Sequence, residues 1–149
     1  MKTDDFSLEN FLPYLLNQAA EVSSLSFQNV YKERYGMLRT EWRVLFHLGL
    51  YGQMTASEIG ARAKMHKTKI SRAVQRLVER RFVSRTRDEK DRRVEHLRLT
   101  AQGTAAYHDL YAVAQTYQDQ LLSQLETREV EALRSALTKL AHATPMDFT

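Results

Sequence analysis

The chain has 149 residues, 43% of them hydrophobic and 27% charged, the balance of an ordinary globular protein long enough to bury a core. It has no cysteine, which excludes disulfides, thiolate metal sites and thiol redox sensing together. The acidic start Met-Lys-Thr-Asp-Asp has no apolar signal core, and the longest uncharged stretch, Val44 to Ser57, is 14 residues, too short to cross a bilayer. A cytoplasmic protein without a membrane partner is the expectation.

The net charge of +4 conceals an asymmetry. From Arg62 to Arg98, 14 Lys/Arg stand against 5 Asp/Glu, a local excess of +9, while the remainder nets −5. A solvated basic surface is one explanation of such a run. An excess concentrated over two or three elements also makes a face that attracts polyanions.

With 5 glycines and 2 prolines, most of the chain is expected to be helical. Residues about 10 to 33 read as a long helix, with Asn10 as cap and Pro13 in the first turn, where a missing N–H is harmless. Phe11, Leu12, Leu15, Ala19, Val22 and Ser26 recur along it at helical spacing. Thr40 is the expected cap of a second helix, made apolar nearly all round by Trp42, Val44, Leu45, Phe46, Leu48 and Leu50 and ended by Gly52. Such a helix belongs in the middle of a fold.

Thr55 and Glu58 have capping-box spacing and open a short helix to about Lys64. A longer helix covers about Lys67 to Arg81, so the pair reads as a helix-turn-helix. The period then changes. Phe82 to Asp88 and Arg93 to Leu99 alternate around a polar tip at 89–92, a two-stranded hairpin with Val83, Leu97 and Leu99 facing the core. Thr100 caps a long helix to about Gln124, and Thr127 is the expected cap of a last one to about His142. The fold class is mainly α with a small β-hairpin.

On a wheel of about 100° per residue, Ile70, Ala73, Val74, Leu77 and Val78 form one apolar stripe. Thr68, Lys69, Arg72, Gln75, Arg76 and Glu79 lie opposite, with Ser71 on the flank. Arginine can grip guanine and glutamine adenine with two hydrogen bonds each, whereas Lys, Ser and Thr suit phosphates. At the hairpin tip, Arg92 and Arg93 can enter a minor groove, and Asp91 makes sense there if it braces an arginine.

These residues together resemble the MarR family of bacterial transcriptional regulators. Lys67-Thr-Lys-Ile-Ser-Arg-Ala-Val-Gln-Arg-Leu77 is similar to its recognition helix, Asp91-Arg92-Arg93 to its wing, and Leu99-Thr100-Ala-Gln-Gly103 to the junction after the wing. The resemblance spans about 10 to 142 and implies a single domain over 1–149. Helices at about 10–33 and 100–142 would dimerise, around a winged helix-turn-helix lobe at about 40–99. It implies a homodimer on a palindrome of double-stranded DNA, acting as a ligand-released repressor. The DNA-binding residues would be His66, Lys67, Thr68, Lys69, Ser71, Arg72, Gln75, Arg76, Asp91, Arg92 and Arg93. His66 stands where many relatives have a small polar or acidic cap, which would weaken the start of the recognition helix.

Thr40-Glu-Trp-Arg-Val-Leu45 is similar to a subgroup tied to aromatic-acid catabolism, and an effector site at Trp42, Arg43, Phe46 and His47 follows. Arg43 and His47 are four apart, hence on one stripe, and a guanidinium in an apolar helix needs a partner. A small aromatic or anionic ligand would supply it. The alternative is a permanent carboxylate such as Glu21 or Asp109. The five histidines have no metal-ligand spacing and no catalytic motif is present, so neither a metal, a cofactor nor an enzyme is expected. The rival class is an RNA-binding or accessory winged-helix module, against which stands the absence of aromatics on the 62–81 basic face.

Overall fold

The computed structural model describes residues 6–147. They divide into two compact units, one running to Ala114 and the other beginning at Gln115. Within the first, a short 3-10 turn at Leu8–Asn10 precedes α1 (Leu12–Tyr35), then α2 (Arg39–Tyr51), β1 (Met54–Thr55), α3 (Ala56–Ala63) and α4 (Lys67–Glu79). The strands β2 (Val83–Arg87) and β3 (Glu95–Leu99) follow, and α5 (Ala101–Leu122) begins. The second unit holds the end of α5 and α6 (Thr127–Ala141).

Three expected caps are displaced by one or two residues. The last extended residue before α1 is Phe11, not Asn10, and before α2 it is Leu38, so Thr40 lies inside the helix. Thr127 is likewise the first residue of α6, whose cap is Glu126 in a reciprocal box with Glu129. Pro13 does fall in the first turn of α1. The Thr55 box forms on one side: its hydroxyl oxygen accepts the Glu58 N–H at 3.1 Å. Glu58 takes the Thr55 hydroxyl instead of the Thr55 amide, on a residue that also belongs to β1.

That strand corrects the expected two-stranded hairpin. The sheet has three antiparallel strands in the order β1-β3-β2, with Met54 opposite Leu97 and Val83 opposite Leu99. The first strand ties the wing to the entrance of α3. Its length of two residues leaves no alternation to read.

The core of the first unit is where the periodicity puts it. Val44, Leu45 and Leu48 of α2, Ile59 of α3, and Ile70, Ala73, Val74 and Leu77 of α4 are buried, as are Val83, Leu97 and Leu110. Val78 and Leu99 are only partly covered, and Leu50 is exposed, so α2 is not buried all round. At the root of the wing, Thr100 accepts the Gly103 N–H through its hydroxyl oxygen at 3.0 Å and donates that hydroxyl to the Arg81 carbonyl at 2.6 Å. This draws α5 so close to Phe82 that a Cβ on Gly103 would stand 1.9 Å from the Phe82 carbonyl oxygen. Only glycine fits.

Much of the apolar surface of α1 and its cap is exposed. Phe11, Leu12, Leu15, Val22 and Leu25 are exposed, and only Phe27 and Tyr31 of the helix are buried. In the second unit, α6 buries no residue and exposes Leu133, Leu137 and Leu140. Leu110 of α5, by contrast, is fully buried in the core of the first unit.

A basic helix and wing as the candidate nucleic-acid interface

The turn between α3 and α4 is made by Lys64 in the left-handed region (φ 54°), followed by extended His66. The imidazole of His66 caps α4, its Nδ1 accepting the Thr68 N–H at 3.2 Å. The expectation of a weakened helix start is therefore corrected, because a ring nitrogen with a free lone pair serves as the acceptor that helix N-termini require.

Every candidate on the polar side of α4 (Lys67, Thr68, Lys69, Ser71, Arg72, Gln75 and Arg76) is exposed. They divide into two sets. Over the first turns, the side chains of Lys67, Lys69 and Arg72 have no ion pair among the described residues. Farther along, Gln75 is held at both ends of its amide, accepting from Arg85 of β2 at 2.6 Å and donating to Glu79 at 2.8 Å. Arg85 in turn reaches Glu95 of β3 at 3.3 Å, and Arg76 pairs with Glu41 of α2 at 3.2 Å. Sequence reasoning missed Arg85 and Glu41, whose partners lie 10 and more than 30 residues away.

At the wing tip, Arg93 Nε and Nη2 donate to the two Asp91 oxygens at 3.1 and 3.3 Å, and the Arg93 amide adds a third bond at 3.0 Å. The Arg93 side chain stays 90% exposed. Arg93's side chain, with help from its amide, holds the Asp91 carboxyl below the usual carboxylate range. Asp88 closes the base of the tip. Its side chain pairs with His96 at 3.0 Å and accepts the Lys90 and Asp91 amides. The His96 bond first, then the two amides, keep its pKa low. Arg92 is exposed and has no ion pair among the described residues. The tip thus holds Arg93 extended on a hydrogen-bonded turn.

The effector candidates on α2 gather in two pairs with different neighbours. Trp42 and Phe46 stack edge to face at 5.2 Å and pack on Phe27 of α1, with Phe46 also on Tyr107 of α5. Arg43 donates instead to the Ala63 carbonyl at 2.8 Å, at the C-terminal end of α3, where the helix dipole favours a cation. His47 Nδ1 donates to the Arg43 carbonyl at 2.6 Å. Neither carboxylate named from sequence reaches Arg43. Glu21 pairs with Arg39 at 3.1 Å, and Asp109 takes Arg34 at 2.9 Å and the Tyr35 hydroxyl at 2.6 Å. Burial first, and then the charge of Arg39 one turn away, lower the pKa of Arg43. Arg39 is the cation that sequence reasoning missed here.

Among the described residues no cluster of potential metal ligands occurs, and no helix is long and apolar enough to cross a membrane. The sequence model of the MarR family matches residues 35–94, from the end of α1 through the wing tip. Over that segment the chain is similar to the MarR family. The Bacillus subtilis (strain 168) HTH-type transcriptional repressor MdtR is 29% identical over 115 residues, 77% of this chain and 74% of the relative. The backbone matches Bordetella bronchiseptica BpsR, whose DNA binding is regulated by 6-hydroxynicotinic acid, with a TM-score of 0.84 at 19% identity over 93% of this chain and 99% of the other. It also matches S. aureus MepR, solved as a DNA complex, with a TM-score of 0.80 at 19% identity over 88% and 96%. The chain has the winged-helix fold of these regulators.

Proposed function

We propose that the protein is a repressor that binds an inverted-repeat operator as a homodimer and leaves it when a small aromatic acid binds. The observation that carries the DNA part is the mounting of α4. Ile70, Ala73, Val74 and Leu77 of its apolar stripe are buried in the core while Thr68, Lys69, Ser71 and Arg72 are exposed on the far side, beside a braced Arg93. In this reading α4 lies in the major groove, with Arg72 and Gln75 at base edges and His66, Lys67, Thr68, Lys69 and Ser71 at phosphates. Arg76 and the tip residues Arg92 and Arg93, the last held by Asp91, complete the contacts.

Dimerisation is supported by the unpacked apolar positions of α1 and of α6, each too extensive for a lone helix face in water. A closed two-fold pair is the commonest way to cover such faces. The ligand part is supported by Arg43, a partly buried guanidinium beside a second arginine and with no carboxylate partner among the described residues. A ligand carboxylate would relieve that repulsion while its ring lies against Trp42 or Phe46, with His47 as a further polar contact. BpsR answers to a ring acid. Release requires only that the ligand prefer a spacing of the two α4 helices that the operator does not fit. With these roles the protein works inside the cytoplasm and needs no cofactor or catalysis.

Two experiments test the reading. Sequencing the duplex fragments that the protein retains from its own genome should return an imperfect inverted repeat with half-sites about 10 bp apart, centre to centre. Fragments with no shared repeat would refute it. Aromatic acids screened by thermal shift should include one that raises the melting temperature and releases DNA. A ligand that acts equally on wild type and Arg43→Ala would move the pocket elsewhere.

A further inference from the structure

Glu41 is the charged side chain in the core of the first unit, 0% exposed. It lies in the first turn of α2, where the helix dipole favours a carboxylate, yet neither of its oxygens accepts a well-aligned hydrogen bond. Leaving a carboxylate buried and alone is strongly unfavourable. Its cation is Arg76 of α4, whose Nε lies 3.2 Å from Oε2. That approach uses the side of the guanidinium, and the Arg76 side chain remains 49% exposed. No other described residue pairs with either partner. The arrangement parallels the wing, where Asp91 takes Arg93 through Nε and leaves most of that side chain in solvent.

We propose that Glu41 is a positioning residue for DNA recognition, setting base preference from inside the core by aiming the terminal fork of Arg76 along the polar side of α4. The proposal rests on the reading of α4 as the recognition helix. An arginine on an exposed helix face has many rotamers, and fixing one end of the guanidinium removes most of them before DNA arrives. A fork held in one direction can discriminate base edges, whereas a loose one finds the nearest phosphate.

Glu41 has two effects on binding with opposite signs, and this separates them. Its charge repels the phosphates of every sequence alike, so losing it raises affinity for all duplexes. Its geometry favours the matching sequence alone, so losing it lowers preference. Glu41→Gln removes the charge at nearly constant volume. Dissociation constants are measured by fluorescence anisotropy on a duplex recovered from the genome and on a scrambled duplex of the same composition. The ratio of the two constants should fall about tenfold in Glu41→Gln, the scale of one bidentate base contact, while affinity for the scrambled duplex holds or rises. In an Arg76→Gln background the same substitution should leave the ratio unchanged, because the side chain it aims is gone. An unchanged ratio in the presence of Arg76 overturns the proposal. The Arg76 Nε–H resonance gives a test independent of DNA and of stability: its order parameter should be high in the wild type and fall in Glu41→Gln. A low order parameter in the wild type also overturns it. A wild type that prefers neither duplex sinks the recognition-helix reading itself.

Discussion

Replacing Gly103 by alanine sets two effects of opposite sign against each other. Gly103 lies in the first turn of α5, and by helix propensity alone alanine there should add about 1 kcal/mol of stability. The structure predicts a loss. The new Cβ would lie 1.9 Å from the Phe82 carbonyl oxygen and 2.9 Å from its carbon. An ordinary C···O contact is about 3.3 Å, so the two segments must part by roughly 1.4 Å. Both are backbone, with no flexible side chain to yield, and the same Phe82 carbonyl accepts the Thr100 amide at 3.1 Å. Overpacking typically costs about 1–3 kcal/mol, and an obstruction made of main chain belongs at the upper end. Set against the propensity gain, the net loss is about 2 kcal/mol. For a chain of this size that lowers the melting temperature by about 4–8 °C. The assay is thermal unfolding followed by circular dichroism at one fixed protein concentration, because any self-association makes the midpoint concentration-dependent. A variant as stable as the wild type, or more so, would refute the close packing of α5 on the wing root.

Arg72→Ala should cost roughly 1–3 kcal/mol on the operator and relax preference at one base pair. Arg93→Ala should weaken binding with a change of preference confined to AT-rich flanks, because a minor-groove arginine reads width. Equal losses on operator and random duplex for both would show that neither reads sequence. His66→Ala should speed hydrogen exchange of the Thr68 amide, and His66→Asn should restore its protection, because asparagine also caps through an acceptor. Equal exchange in all three proteins would refute the cap. Asp109 has its pKa lowered by the Tyr35 hydroxyl and then by Arg34, so its contribution is present above the ordinary carboxylate range and lost as pH falls through the folded value. Tyr35 is pushed up to about 12 by burial and by Asp109, so its contribution is present below pH 10.0 and lost on rising through about 12. Asp109→Asn should therefore flatten the acid limb of stability against pH, and an unchanged limb would remove the assignment.

The sequence made legible the features that repeat or that have a fixed spacing. Of the stripe Ile70, Ala73, Val74, Leu77 and Val78, which recurs at helical period, the first four are buried and Val78 is partly covered. The bracing of Arg93 by Asp91 is local, two residues apart, and was inferred from the incongruity of an acid in a basic tip. Features that depend on distant partners were not legible. Glu41 reads as an ordinary first-turn acid until α4 is packed on α2 and Arg76 arrives beside it. Trp42 and Arg43 are neighbours in sequence, yet 100° of helical rotation sends one to Phe27 of α1 and the other to Ala63 of α3. The displaced caps have a simpler cause. A hydroxyl or amide near a helix start is a common signal, but the cap is decided by which residue is last in extended backbone, and that depends on the preceding turn.

The central claim is that the basic face formed by α4 and the wing recognises duplex DNA by sequence. Competition measures it most directly. A labelled duplex recovered from the genome is bound to the protein and displaced with unlabelled copies of itself, with a scrambled duplex and with single-stranded RNA of matching length. The account predicts that the recovered duplex competes at least about 1,000-fold better than the scrambled one, with the RNA no better than the scrambled duplex. Equal competition by the two duplexes, or stronger competition by the RNA, would contradict it.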